Sequence, residues 1–163
     1  MNRHAYNEVF RPDSGLLLDI KIFNTTEEDW RTLLHYLSTK YVTVYSEDGV
    51  AKPQPEFKAI WQARNKKALA IEILLPGFAV SSNFFETEQI EMDLRPEDVD
   101  SAEKANAVFG LMSGMAGELH KQVFLVREHA SASQEELKQM AICSADPGTG
   151  EIKYYRPHFR TDV

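Results

Sequence analysis

One cysteine in 163 residues, Cys143, leaves no internal disulfide to form, and such a chain is at home in a reducing compartment. Positive charge is also in short supply: 18 Lys and Arg stand against 25 Asp and Glu, a net charge of −7 at pH 7. Contact with phosphate needs a basic surface, so this balance excludes nucleic acid as the expected partner and favours a basic protein instead. No apolar run approaches the roughly 18–20 residues of a membrane helix. The first fifteen residues hold Arg3, Glu8, Arg11 and Asp13 but no apolar core of a signal peptide. The expectation is a cytoplasmic protein without a membrane partner.

Motifs that carry chemistry are missing as well. The five histidines (His4, His35, His120, His129 and His158) form no HxH, HxxxH or HExxH pattern. His120 and His129 would stand roughly 20 Å or more apart at the ends of an extended segment. There is no Gly-x-Ser-x-Gly elbow, and Ser113 falls inside a helical pattern. Cys143 lies in an alternating stretch with Ala141 and Ala145 and reads as a small core residue without a base to activate it. No catalytic residue, metal or cofactor is expected, although an enzyme is not excluded. No internal repeat, low-complexity tract or linker interrupts the chain.

Hydrophobic content of 43% and charged content of 26% suit a globular domain. At about 150 residues a domain buries about 68–70% of its unfolded surface, so one domain spanning 1–163 is expected, with 1–14 and 157–163 peripheral. The strongest local signal is 16–37. Leu16, Leu18, Ile20 and Ile22 alternate with Asp19 and Lys21, the mark of a strand with one buried face. Thr25 stands three residues before Glu28, the capping-box spacing, and Glu27, Glu28 and Asp29 favour a helix N-terminus. Trp30, Leu33, Leu34 and Leu37 then form one apolar stripe.

Further on, 12–15 reads as a turn and 41–45 as a strand ended by Glu47-Asp48-Gly49, with 51–55 as loop. Residues 57–63 fit either a helix, with Phe57, Ile60, Trp61 and Arg64 on one face, or a strand in which Phe57, Ala59 and Trp61 alternate. The strand is preferred, because 64–67 looks like a turn into the apolar run 68–75, which stops at Pro76-Gly77. Ile90, Met92 and Leu94 mark another half-buried strand. A second long helix is expected over 101–120, capped by Asp100 or Ser101, with Ala102, Ala105, Val108, Phe109, Met112, Ala116 and Leu119 inward. A strand at 122–127, a capping-box pattern at 133–136 and a hairpin of 140–144 with 152–155 close the chain. The order β-α-β-β-β-β-α-β plus a hairpin predicts an α+β two-layer sandwich: a mostly antiparallel sheet, two main helices on one face, and a ferredoxin-like part.

Two features point beyond folding. Between Glu86 and Glu103 the chain carries Glu86, Glu88, Glu91, Asp93, Glu97, Asp98, Asp100 and Glu103 against only Arg95 and Lys104. Strand alternation turns Glu91 and Asp93 outward, which is either a solvated face guarding an edge strand or an acidic surface for a basic protein partner. The order of residues lacks the glycine and ligands of an EF-hand loop. The other feature is Gly110, Gly114 and Gly117, placed too late in their helix for a phosphate loop. Such glycines imply close approach to the sheet, or a pocket between helix and sheet with Tyr36, Gly114, Glu118 and His120 as its groups. The expected function is non-enzymatic protein binding through the acidic face (Glu86, Glu88, Glu91, Asp93, Glu97, Asp98), as an immunity-type inhibitor or adaptor. The alternative is a small-molecule-binding or enzymatic domain using the helix pocket. A homodimer through an edge strand is a third expectation.

Overall fold

The protein is described from a computed structural model covering residues 9, 10, 16–127, 136 and 140–155. The turn read at 12–15, the residues 133–135 of the second capping-box pattern, the chain ends 1–8 and 156–163, and His4, His129 and His158 lie outside the described residues. Strand β1 (Leu18–Phe23) leads into helix α1 (Glu27–Lys40). Thr26, not Thr25, is the N-cap: its side chain accepts from Asp29 N–H, and the Asp29 carboxylate accepts the Thr26 N–H at 2.7 Å. The box is shifted by one residue because Thr25 is used elsewhere. It is buried and donates its hydroxyl to Thr87 O at 2.6 Å. Asn24 turns the chain between strand and helix at φ 54°.

Next come β2 (Val42–Glu47) and β3 (Val50–Lys52), joined through Asp48 and Gly49 at φ 51° and 77°. Two positive φ angles are what a type I′ hairpin turn requires. The loop expected over 51–55 therefore begins with strand. Helix α2 (Phe57–Ala63) replaces the strand expected there. A strand would have buried Ala59 beside Phe57, whereas Ala59 is exposed and Ile60 is fully buried. Helical spacing instead puts Phe57 against Trp61, stacked at 5.4 Å, and Arg64 over Trp61 at 3.9 Å.

Strand β4 (Leu69–Leu75) stops at Pro76-Gly77 as expected, and the chain turns there, Gly77 at φ 80°, into β5 (Phe78–Asn83), a strand not expected from the sequence. β6 (Gln89–Leu94), a 3₁₀ turn (Pro96–Asp98) and helix α3 (Ala102–Leu119) follow. The last elements are β7 (Val123–Arg127), β8 (Cys143–Ala145) and β9 (Ile152–Tyr154), of which β8 and β9 form the expected hairpin.

The nine strands described form one antiparallel sheet in the order β3-β2-β4-β5-β6-β1-β7-β8-β9. β6 and β7 each run antiparallel to β1 and hence in the same direction as each other. With α3 linking them and β1 between, they make a split β-α-β unit, the ferredoxin-like part of an α+β sandwich. Strand alternation sends Leu18, Ile20, Ile22, Ile90, Met92, Leu94, Ile71 and Ile73 to one face, where α1 and α3 cover them. α3 buries Leu111 and Met115 in addition to the expected stripe, because the sheet, α1 and the β8–β9 hairpin all contact it. Ser113 donates its hydroxyl to Gly150 O at 2.6 Å, tying the hairpin to the helix. Val9 and Phe10 join the same core, Phe10 lying 5.6 Å from Phe109 between ring centres.

The shifted cap yields a prediction. Thr26→Ala should cost about 1 kcal/mol in denaturant unfolding. Glu28→Ala, which the sequence spacing marks as the box partner, should stay within about 0.5 kcal/mol, as surface changes do. A larger loss for Glu28→Ala than for Thr26→Ala would contradict the cap.

Candidate functional site

The sheet face opposite the helices begins with an ion cluster at its centre. The register sets Asp19 opposite Asp93 and Lys21 opposite Glu91. Like charges placed directly opposite are unfavourable, and Lys21 relieves them: its Nζ lies 3.4 Å from Asp19 and 3.0 Å from Glu91. Gln89 Nε2 donates to the same Glu91 carboxylate at 2.8 Å. Asp19 and Lys21 are only 3% and 7% exposed, so this is a buried pair and not a surface ornament. Burial opposes the charge on Lys21, but the Glu91 and Asp19 carboxylates outweigh it and hold the pKa above the usual 10.5. Carboxylate oxygens of Asp19, Glu91 and Asp93 come within 4.8 Å of one another. Three such oxygens suit a hard cation, yet the Lys21 ammonium already bridges two of these carboxylates.

The acidic stretch therefore divides into parts with different work. Glu91 and Asp93 are half-buried in the ion cluster instead of freely displayed. Asp98 and Asp100 gather round Lys104, whose Nζ donates to Asp98 O at 2.9 Å and pairs with Asp100 at 3.0 Å. Glu86, Glu88 and Glu97 are exposed. The first two sit on the link between β5 and β6, which is held firmly. Trp30 Nε1 donates to Glu86 O at 3.0 Å, Thr25 N–H to Glu88 O at 3.0 Å, and the Thr25 hydroxyl to Thr87 O.

Phe84 packs inward on Trp30 at 5.3 Å, and its neighbour Phe85 is 74% exposed. A shallow hollow of about 80 Å³ lies beside Phe85, bounded by Asn83, Glu86, Gln89 and Glu91. An exposed aromatic flanked by carboxylates on a pinned loop resembles the anchor-and-rim composition of protein interfaces. Sequence reasoning missed Phe85; the signal it left is two adjacent phenylalanines just after β5, of which the core takes Phe84.

The residues read as a helix pocket are arranged differently. Tyr36 of α1 lays its phenol directly on Gly114, in the space a Cβ there would need. The close approach implied by the glycine is thus to α1, and Tyr36 fills it. Burial, a hydrogen bond with Tyr41 and the nearby Glu118 all push the Tyr36 hydroxyl well above its ordinary pKa of 10. Glu118 and His120 are exposed, and His120 ends the helix at φ 51°. A Cβ at Gly110 or Gly117 would meet nothing within 4 Å. Cys143 is fully buried, and burial pushes its thiol up to about 12, a poor setting for a nucleophile at neutral pH.

No protein-family model matches the chain, and no curated protein or solved structure gives a significant match to it. Among the described residues no helix is long and apolar enough to cross a membrane.

Two predictions follow from this geometry. Lys21→Met leaves buried carboxylates without their ammonium and should cost about 3 kcal/mol. Because the Lys21 pKa is raised, its contribution is whole below about 10.5 and is lost as pH climbs through the folded value. The stability gap between wild type and variant should therefore be flat to that pH and narrow above it; a gap that widens would refute the pairing. Gly114→Ala should destabilise by about 1–3 kcal/mol through overpacking against Tyr36. In a Tyr36→Ala background the same change should become neutral or stabilising by up to about 1 kcal/mol, from helix propensity alone. Equal costs in both backgrounds would show that Tyr36 is not the obstacle.

Proposed function

We propose that this chain works by binding a basic protein partner through the 84–88 loop and the carboxylates beside it, in the manner of an immunity-type inhibitor or an adaptor. The observation that carries the reading is Phe85, 74% exposed between Phe84, which is buried, and Glu86, which is exposed. Three hydrogen bonds, two from Thr25 and one from Trp30 of α1, hold the loop in place. A pinned loop loses little conformational freedom on binding, so an apolar anchor on it gains affinity at small entropic cost. Glu86 and Glu88 would steer a basic surface onto that anchor and set the salt dependence. Glu91 contributes through its outer edge, while its Lys21 bridge keeps the strand registered. A net charge of −7 adds long-range attraction of the same sign.

The experiment is affinity capture from host lysate at low and high salt. It compares wild type with Glu86→Lys/Glu88→Lys and with Phe85→Ala. The expected result is a basic protein retained by wild type, released by salt, and lost from both variants while their melting temperatures hold. Capture that survives both variants would reject this loop as the docking element. Reversal of Glu91 is a poor test, since it would also break the Lys21 bridge.

A further inference from the structure

The hollow beside Phe85 is built for one kind of group. At about 80 Å³ it falls short of the roughly 300–1,000 Å³ of small-molecule sites and suits the head of one long side chain. Every polar side chain described in its lining offers an acceptor: the carboxylates of Glu86 and Glu91 and the amides of Asn83 and Gln89. Lys21 and Gln89 both bond Glu91 Oε2, at 3.0 and 2.8 Å, so Oε1 is the oxygen left for an incoming donor. Gln89 has given its Nε2 to that bond and meets a newcomer with its own oxygen. Lys21 does not cancel the charge. Asp19, Glu91 and Asp93 set three carboxylates against its one ammonium, and Glu86 adds an exposed one at the rim. The Phe85 ring is 74% exposed, and the cations that lie over rings among the described residues cover Phe57, Trp61 and Tyr155 instead.

We propose that this hollow receives a single arginine side chain of the basic partner, an inference that rests on the docking-loop reading above. A guanidinium carries five N–H donors in one plane and no acceptor, the complement of a lining made of acceptors. Its edge can bond Glu86, Glu91 Oε1 and the Asn83 oxygen while its face lies on the Phe85 ring. A lysine ammonium is a compact, strongly hydrated point charge that gives up more water and covers less of the ring. The acceptors are also set in advance. Asn83 ends β5, Gln89 opens β6, and the bonds from Thr25 and Trp30 hold the link between them, so little ordering is left for the arginine to impose.

The test is an NMR titration of the ¹⁵N-labelled full chain with the blocked peptide acetyl-Gly-Arg-Gly-amide, and with its lysine and citrulline counterparts. The arginine peptide should give saturable shifts centred on 83–91. The citrulline peptide, which keeps the shape but not the charge, should bind at least about tenfold more weakly. The lysine peptide should bind about threefold or more weakly, for want of a planar, stacking head. Phe85→Ala and Glu86→Gln should each weaken the arginine peptide about threefold or more. Glu103→Gln, which removes an exposed acid on α3 away from the hollow, should leave it unchanged, so that general acidity is not what binds. The proposal is overturned if citrulline or lysine binds as well as arginine, if the shifts fall elsewhere, or if Phe85→Ala and Glu86→Gln bind like wild type. If the peptide shifts nothing while Phe85-dependent capture of a basic protein persists, the arginine site is overturned and the docking loop stands.

Discussion

Strand β1 is hydrogen-bonded along both edges, to β6 on one side and β7 on the other, and its two faces have opposite work. Leu18, Ile20 and Ile22 are at most 4% exposed beneath the helices, while Asp19 and Lys21 are nearly as deeply buried on the far face. Fully burying an aliphatic side chain of this size is worth about 1.5–3 kcal/mol, and a one-residue slip would exchange those side chains for charges. The register of β6 is held in the same way from the other direction, because Lys21 meets Glu91 only when Ile22 meets Ile90. α1 leaves β1 within a few residues and crosses over the sheet to β2, and α3 joins β6 to β7 across it. The two helices then pack on one another, Tyr36 against Gly114.

The same central unit shapes the surface that the protein presents. Thr25 and Trp30, at the start of α1, reach across to the backbone of 86–88. The loop carrying Phe85 is consequently an extension of the core and not a mobile connection. Trp30 serves both purposes: it is 1% exposed in the core, packs on Phe84 and Trp61, and gives its indole N–H to the loop. The stripe of α1 that buries Leu33 and Leu37 leaves Arg31, His35 and Ser38 on the outer flank, where α2 brings up Phe57 and Lys58.

Much of the candidate surface could be read from residues, but not how its charges are used. Glu86, Glu88 and Glu97 are exposed as an acidic segment leads one to expect. Glu91 and Asp93 do point away from the helices, as alternation requires, yet they meet Asp19 and Lys21 from a strand seventy residues earlier in the chain. Nothing in the 86–103 segment signals that neighbour. Gly114 announced a close approach without naming the side chain, since Tyr36 lies on another helix.

What the chain determines by itself is whatever acts within a few residues. Alternation in β1 and β6, the apolar stripes of α1 and α3, the Asp48-Gly49 turn and the small, buried character of Cys143 all belong there. Local periods and turn geometry are enforced by sterics and backbone hydrogen bonds before any distant contact forms. Only the tertiary structure decided the state of 57–63, where both periods fit and the burial of Ile60 and the stacking of Trp61 chose the helix. It also made strands of β3, only three residues long, and of β5, whose apolar run ends at Val80 before Ser81-Ser82-Asn83, and which pair because β2 and β4 offer edges. Which carboxylates meet Lys21, and which phenylalanine of the pair at 84 and 85 faces water, followed from the strand order as well. Such choices depend on which surfaces arrive opposite one another, and sequence windows hold no record of that arrival.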